Sequence, residues 1–171
     1  MDQLKPQVLV VDGYNIIGCW DELKSLKVKD MGSARDQLIS TLSAFHPWSW
    51  ERIIIVFDGQ SFDWSDVEGV EVVFTEGKET ADTMIEKLAA GLAARYCVEV
   101  ATSDYAEYRA ASALGARTLS AVALKERLAE QRQIYSRRLG RKTDNRGIAL
   151  NELLNQTVIS NLERLRARED G

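Results

Sequence analysis

The apolar residues of this chain fall into short runs separated by longer stretches with helical spacing. The two most apolar runs, residues 8–11 and 52–57, are rich in β-branched residues and do not alternate with polar positions. This pattern is typical of strands that are covered on both faces in a parallel sheet. Together with three shorter runs, they predict strands at residues 8–11, 52–57, 70–74, 97–101 and 116–119.

The stretches between these runs place apolar residues three or four positions apart, which predicts amphipathic helices. Leu38, Ile39 and Leu42, for example, lie on one stripe of a helix. The predicted helices are residues 33–45, 80–95, 105–114 and 121–139. Because strands and helices alternate, βαβ crossovers must join the strands. We therefore expect an α/β fold with three layers, in which helices flank a mostly parallel central sheet.

The last part of the chain has a different pattern. Residues 140–147 are polar and include two glycines, which predicts a loop, and residues 149–168 carry leucines at helical spacing. We expect one domain over residues 1–139. The remaining residues, 140–171, are expected to form a basic loop and a C-terminal helix, which either packs on the domain or projects from it.

The length of 171 residues and the hydrophobic content of 45% suit one globular domain with a substantial core. Cys19 and Cys97 form no Cys-x-x-Cys pair, which argues against a disulfide framework and a zinc knuckle. A reducing compartment is therefore expected: the cytoplasm, or an organellar stroma if the chain is the mature form of a targeted protein. No run approaches the roughly 18 apolar residues of a membrane span, so we expect no membrane partner.

Charge is unevenly distributed along the chain. The formal net charge of −4 argues against a uniformly basic nucleic-acid binder. The segment 132–146, however, is strongly basic and contains a single acid. Its basic residues are Arg132, Arg137, Arg138, Arg141, Lys142 and Arg146. Such a segment can hold a nucleic-acid backbone beside an acidic pocket elsewhere on the molecule. The alternative is a solvated surface without a binding role.

Acidic residues stand at the carboxyl ends of several predicted strands. Asp12, Asp58 and Asp104 follow strands, and Asp82 lies in the first turn of a helix. Because the carboxyl ends of parallel strands meet at one edge of a sheet, we expect these side chains to converge there. Converging carboxylates suit Mg²⁺ or Mn²⁺. Such a cation polarises a phosphate, activates a water molecule and stabilises the leaving oxygen.

Each acid also has a structural interpretation. Asp12 and Asp58 both precede a glycine, as in ordinary turns, and Asp82 and Asp104 suit helix N-termini. Turn and cap chemistry does not, however, require an acid at every one of these connections. The joint placement therefore favours a functional interpretation.

Four other polar residues are candidates for the same edge of the sheet. Asn15 can orient a carboxylate or contact phosphate, and its alternative is turn formation. Ser103 can donate to a scissile phosphate or cap a helix. Arg35 and Lys78 can hold substrate phosphate, and the alternative for both is a solvated side chain.

Four segments give the chain a resemblance to a known family. With them it resembles the NYN branch of the PIN-like nucleases, specifically the YacP-like ribosome-associated endoribonucleases. The segments occur in the order typical of that family and span roughly residues 8–128. They are Val10-Val11-Asp12-Gly13-Tyr14-Asn15, Val56-Phe57-Asp58-Gly59, Thr80-Ala81-Asp82 and Thr102-Ser103-Asp104.

The resemblance implies a PIN-like (NYN) nuclease domain that cleaves single-stranded RNA with Mg²⁺ or Mn²⁺. It implies that Asp12, Asp82 and Asp104 are metal ligands and that Asn15 and Asp58 have supporting catalytic roles. It further implies association with ribosomes and cleavage of messenger RNA during translation. The basic C-terminal segment can then contact ribosomal RNA.

Two other hypotheses remain open. A noncatalytic RNA- or ribosome-binding module would use Arg137, Arg138, Arg141 and Lys142, and would keep the acids for folding. A phosphohydrolase of small substrates is less favoured, because the chain has neither the Asp-x-Asp pair of aspartyl-phosphate enzymes nor a glycine-rich nucleotide loop.

Overall fold

The computed structural model describes residues 4–46 and 48–143, with side chains up to residue 140. The chain divides into two compact units, Met1–Glu126 and Arg127–Gly171. The first unit contains the whole sheet. Within the described part of the chain, no helix combines the length and the apolar character needed to cross a membrane.

The sheet of the first unit has six strands, in the order β3-β4-β2-β1-β5-β6. All neighbouring strands are parallel except β3 and β4, which are antiparallel. The strands are β1 (Gln7–Asp12), β2 (Arg52–Phe57), β3 (Asp63–Val67), β4 (Val70–Phe74), β5 (Cys97–Ala101) and β6 (Arg117–Leu119). The α/β class with a mostly parallel sheet is thus confirmed.

The helices are α1 (Gly13–Cys19), α2 (Asp21–Lys29), α3 (Met31–Ser43), α4 (Ala81–Leu92), α5 (Tyr105–Ala113) and α6 (Ala121–Thr143). Four of them, α1, α3, α4 and α5, contact the strands of the sheet. Met84 and Ile85 of α4 pack with Val8 and Val10 in one core cluster. Successive strand residues point to opposite faces of the sheet. Leu9 and the other buried strand residues that point away from this cluster therefore form a second core on the other face, where α1 and α3 contact the sheet. Burial on both faces explains the continuous apolar runs of β1 and β2.

Three elements were absent from the sequence-based prediction. Helix α1 contains two glycines and only seven residues, and α2 has a single fully buried position, so neither shows a clear apolar stripe. Strand β3 is a short edge strand whose side chains are mostly exposed, so hydrophobicity does not mark it.

The loop predicted to begin at Gly140 is wrong over its first residues, because α6 continues to Thr143. A glycine inside a helix costs only about 1 kcal/mol, and the neighbouring leucine, arginine and lysine residues are good helix formers. The rest of that loop and the predicted helix 149–168 lie outside the described residues. The domain boundary at residue 139 stays a prediction.

The carboxyl ends of β1, β2, β4 and β5 lie at one edge of the sheet, here called the rim. Asp12, Phe57, Phe74 and Ala101 are the last residues of these four strands. Helices α1 and α5 begin within a few residues of the rim, and a short connection leads from β4 to α4. Side chains at these connections are therefore brought together by the topology.

Candidate active site

Asp12 is the last residue of β1 and also the N-cap of α1. Its Oδ1 accepts a hydrogen bond from the backbone N–H of Asn15 at 3.2 Å. The helix follows the strand directly, and Gly13 lies against the Phe57 ring so closely that a Cβ would be 2.2 Å from Phe57 Cε1. The glycine is thus required by close packing rather than by a turn. The Asp12 carboxylate is half-buried at the rim as a result.

Asp82 lies in the first turn of α4, and two side chains fix the start of that helix. The Thr80 hydroxyl accepts the N–H of Thr83 at 3.2 Å. Asp58, which follows β2, accepts the N–H of Ala81 on Oδ1 at 2.7 Å. Asp58 therefore ties α4 to the end of β2 and holds Asp82 at the rim.

Asp104 is the N-cap of α5, and its Oδ1 accepts the N–H groups of Ala106 and Glu107 at 2.9 and 3.1 Å. Glu107 is only 3% exposed. The buried Thr102 hydroxyl donates to Glu107 Oε2 at 2.7 Å. Glu107 Oε1 is buried and has no hydrogen-bond partner among the described residues.

Asp12, Asp82 and Glu107 form a cluster, here called the acid trio. One carboxylate oxygen of each residue lies within 4.8 Å of the others. The structure thus brings together two of the three acids that the sequence suggested as metal ligands. Asp104 stands outside the trio as the helix cap, and its metal-binding role stays a prediction. Its negative charge nevertheless contributes to raising the pKa of both Asp12 and Asp82.

The acid trio carries more negative charge than its surroundings neutralise. Burial, followed by the interaction with Asp12, raises the pKa of Glu107 to about 9. Burial also raises the pKa of Asp12, and the charges of Asp58 and Asp104 add to this effect. For Asp82, burial and then the charge of Asp12 raise the pKa. Within residues 4–46 and 48–140, no ion pair joins a lysine or arginine to the trio.

The chemistry of the trio fits a hard divalent cation. All its donors are carboxylate oxygens, with neither histidine nor cysteine, which suits Mg²⁺ or Mn²⁺ better than zinc. A cation would also supply the missing partner of Glu107 Oε1 and offset the shared negative charge. The residues present therefore fit such a metal.

Asn15 and Ser103 connect three elements beside the trio. Asn15 Oδ1 accepts the N–H of Ser103 at 2.7 Å. Ser103 Oγ in turn accepts the N–H of Ala121, the first residue of α6, at 2.9 Å. The two bonds thus link α1, the segment before α5 and the start of α6, and the Ser103 hydroxyl retains its proton for donation.

The predicted phosphate-binding residues lie in different places. Arg35 of α3 donates from Nη1 to the Tyr14 hydroxyl at 3.1 Å, close to the rim. Lys78 is exposed in the connection between β4 and α4. Arg137 and Arg138 are exposed on α6 in the second unit. The side chains of Arg141 and Lys142 lie outside the described residues.

Glu107 was missed by the sequence reasoning. It follows the cap Asp104 by three residues, where a glutamate usually serves a capping box at a solvent-exposed helix start. One pattern could have identified it. Glu107 stands four positions before the buried Ala111, so a charged residue occupies the core-facing stripe of α5.

Comparison with known proteins agrees with this geometry. The profile of the YacP-like NYN domain matches residues 9–167. The YacP protein of Bacillus subtilis (strain 168) is 42% identical over 119 residues, which are 67% of this chain and 70% of that protein.

Two crystal structures are also similar to the structure of this chain. That of Rae1 (YacP) from Bacillus subtilis has 36% identity and a TM-score of 0.70, and the match covers 94% of this chain and 95% of that one. A tryptophan-to-leucine mutant of the same protein has 34% identity and a TM-score of 0.70, with 96% and 99% covered. These likenesses indicate a nuclease-type, RNA-related function. The chain belongs to the YacP-like NYN domain family.

Proposed function

We propose that this chain is an endoribonuclease that cleaves single-stranded RNA with Mg²⁺ or Mn²⁺ bound at the rim. The observation that carries the proposal is the acid trio, in which Asp12, Asp82 and Glu107 place carboxylate oxygens within 4.8 Å of one another without a basic partner among the described residues. Membership of a nuclease-type family supports the reaction class.

Asp12, Asp82 and Glu107 are the residues that would hold the cation. Asp104 belongs to the same proposal, because its capping bonds use Oδ1 and do not occupy Oδ2. When bound, the cation polarises the scissile phosphate, lowers the pKa of a water molecule and stabilises the leaving oxygen.

The other residues position these acids. Asp58 fixes the first turn of α4 and thereby Asp82. The Thr102 hydroxyl fixes one oxygen of Glu107, which leaves the other oxygen for a ligand. Asn15 holds the backbone of Ser103 directly before the cap of α5. Ligands that are already oriented lose little freedom on binding a metal, and partners of this kind affect metal affinity strongly.

The proposed substrate is messenger RNA that is bound to a ribosome, in the cytoplasm. Its support is the resemblance to ribosome-associated endoribonucleases, together with the exposed Arg132, Arg137 and Arg138 of α6. Exposed arginines bind a phosphate backbone mainly through charge, so this association should weaken as salt is raised.

The test uses the purified full chain, a single-stranded RNA, and ribosomes that carry a translated message. We expect internal cleavage with Mg²⁺ or Mn²⁺ and none with a chelator. Asp12→Asn should abolish cleavage and keep a cooperative unfolding transition. Asp66→Asn is the matched control. Asp66 of β3 lies opposite Glu71 in the antiparallel register, near the amino end of β4 and away from the rim.

Two outcomes would contradict the proposal. One is that the chain cuts neither free nor ribosome-bound RNA with either metal. The other is that Asp12→Asn cuts as well as the wild type. If RNA binds without metal and neutralising Arg137 and Arg138 weakens that binding, the noncatalytic RNA-binding module is the better account.

A further inference from the structure

Two pairs of a cation and an aromatic ring lie near the carboxyl ends of β4 and β5, the outer two of the four strands that end at the rim. The first pair is Arg35 with Phe74. The Arg35 guanidinium carbon lies 5.7 Å from the centroid of the Phe74 ring, and Nη1 donates to the Tyr14 hydroxyl. The Tyr14 ring is itself packed on Phe57, with the ring centroids 4.9 Å apart. A ring and a hydroxyl thus hold the half-buried guanidinium in place.

Arg35 forms no ion pair with a carboxylate within the described part of the chain. A guanidinium has five N–H donors, and the bond to Tyr14 uses only one nitrogen. Its remaining donors match the oxygens of a phosphate, which a planar guanidinium can bind in a bidentate manner. An arginine held in this way near the end of β4 therefore suits an anionic group of a substrate.

The second pair is Tyr105 with Arg109. Tyr105 is the first residue of α5, directly after Asp104, and its side chain is 73% exposed. The guanidinium carbon of Arg109 lies 5.8 Å from the Tyr105 ring centroid, which restrains the ring from one side. The hydrophobic core does not use this ring. An exposed aromatic face directly after the cap residue Asp104 suits the stacking of a nucleobase.

The order of the strands places the acids between these two pairs. Phe74 ends β4, Asp12 ends β1, and Tyr105 follows β5, while the order along the sheet is β4-β2-β1-β5. Neighbouring strands are about 4.8 Å apart, so the ends of β4 and β5 are separated by about 14 Å along the rim. A nucleic-acid strand that ran from one pair to the other would cross the acid trio.

We propose that a single strand of RNA crosses the rim with a phosphate bound at Arg35 and a base stacked on Tyr105, so that the phosphodiester between these points reaches the acid trio. This inference rests on the proposed function for the reaction, and it adds the path and the two contact points of the substrate. The phosphate contact is insensitive to sequence. The stacking contact tolerates any base.

The test measures binding of a short fluorescent oligouridine to the full chain, in Mg²⁺ and in the Asp12→Asn background so that the RNA stays intact. Tyr105→Ala should weaken binding about tenfold, which lies within the range that the stacking of one base on an aromatic ring contributes. Tyr105→Phe keeps the ring and should bind as before.

Arg35→Gln should make the dependence of log affinity on log salt shallower by about 0.7, the slope of one phosphate contact to a single strand. Tyr14→Phe removes only the hydroxyl that holds Arg35. It should therefore also weaken RNA binding, as Arg35→Gln does. Arg95→Gln is the charge control. Arg95 follows α4 just before β5 and is exposed at the opposite edge of the sheet.

Cleavage by the otherwise wild-type chain is measured in parallel, which separates this inference from the proposed function. Unchanged binding and salt dependence in Tyr105→Ala and Arg35→Gln would overturn the substrate path, even if the wild type cuts RNA. If both variants bind weakly while the wild type cuts nothing, the path is supported and the proposed catalytic function fails.

Discussion

Glu99 and Glu107 are both buried glutamates beside the same sheet, but their surroundings differ. Glu99, in β5, is 1% exposed, accepts the indole N–H of Trp50 at 2.6 Å and lies 3.7 Å from the Arg117 guanidinium. Glu107 is 3% exposed and has the Thr102 hydroxyl on one oxygen and no hydrogen-bond partner among the described residues on the other.

The difference separates structural acids from candidate functional ones. Burying a carboxylate is unfavourable unless hydrogen bonds and an opposite charge compensate it. At Glu99 the fold supplies both. At Glu107 the fold supplies one bond from Thr102, while burial, then the interaction with Asp12 and last the charge of Asp82 raise its pKa to about 9. An unfavourable arrangement of this kind is explained if a cation completes it.

The largest expected difference between the two glutamates is in activity. Glu107→Gln should lower the metal-dependent cleavage rate by about a hundredfold or more, because removing even a partner of a metal ligand commonly costs 10–100-fold. Glu99→Gln should leave the rate per folded molecule unchanged. Initial rates at matched folded concentration check this. Equal cleavage rates in Glu107→Gln and Glu99→Gln would contradict the distinction between a functional and a structural glutamate.

A substitution of Thr102 should have a smaller effect on the same site. Thr102→Val removes the hydroxyl that orients Glu107, and we expect metal affinity to fall about tenfold. Thr102→Ser keeps a hydroxyl and should retain most of the affinity. Titration calorimetry with Mn²⁺ gives both values. An unaltered affinity in Thr102→Val would mean that Glu107 does not need this bond.

Stability without metal should depend on pH through Glu107. Its pKa is about 9 in the folded protein and 4.5 ordinarily, so between these values the folded state keeps a proton that the unfolded state has lost. The free energy of unfolding must then fall as pH rises from 4.5 toward 9. We expect the melting temperature with a chelator to drop by several degrees over this window.

Adding Mg²⁺ or Mn²⁺ should oppose that drop, because metal binding favours the deprotonated ligands and stabilises the folded state. Melting curves at pH values on both sides of neutrality, with chelator and with metal, measure this. A melting temperature that rises with pH in the chelator would contradict the assignment of a raised pKa to Glu107.

The smallest effect is the change in stability at one pH. In a chelator near pH 8, Glu107→Gln should raise the melting temperature by about 2–4 °C, since a neutral amide removes the cost of keeping a proton on this carboxyl. Glu99→Gln should lower it by a similar amount, because a charge-assisted hydrogen bond and an ion pair are weakened. Shifts of the same sign would show that the two sites are energetically alike.

Much of the fold could be predicted because burial leaves a clear pattern. β1 and β2 are covered on both faces, and their apolar runs identify them. Once the strands were identified, Asp12, Asp58 and Asp104 could be placed after them. They could be expected at one edge of the sheet, because the topology of a parallel sheet determines where strand ends meet. Helix α1 was not predicted, because a seven-residue helix is too short to show a periodic stripe.

The rest of the site depends on tertiary contacts. The role of Gly13 depends on the Phe57 ring, 44 positions later in the chain, and no local pattern shows this contact. Glu107 has the spacing of a capping residue, and only the packed structure shows that it is buried beside Asp12 and Asp82. Asp104 and Glu107 are three residues apart in one helical turn, so the sequence alone cannot say which carboxylate faces the cluster.

The proposed function depends on a divalent cation that binds the acid trio. Anomalous diffraction from a crystal soaked in Mn²⁺ tests it most directly. We expect one strong peak bonded to carboxylate oxygens of Asp12, Asp82 and Glu107, and its loss in Glu107→Gln. A peak elsewhere on the molecule, or one at the rim that persists without the Glu107 carboxylate, would contradict the claim.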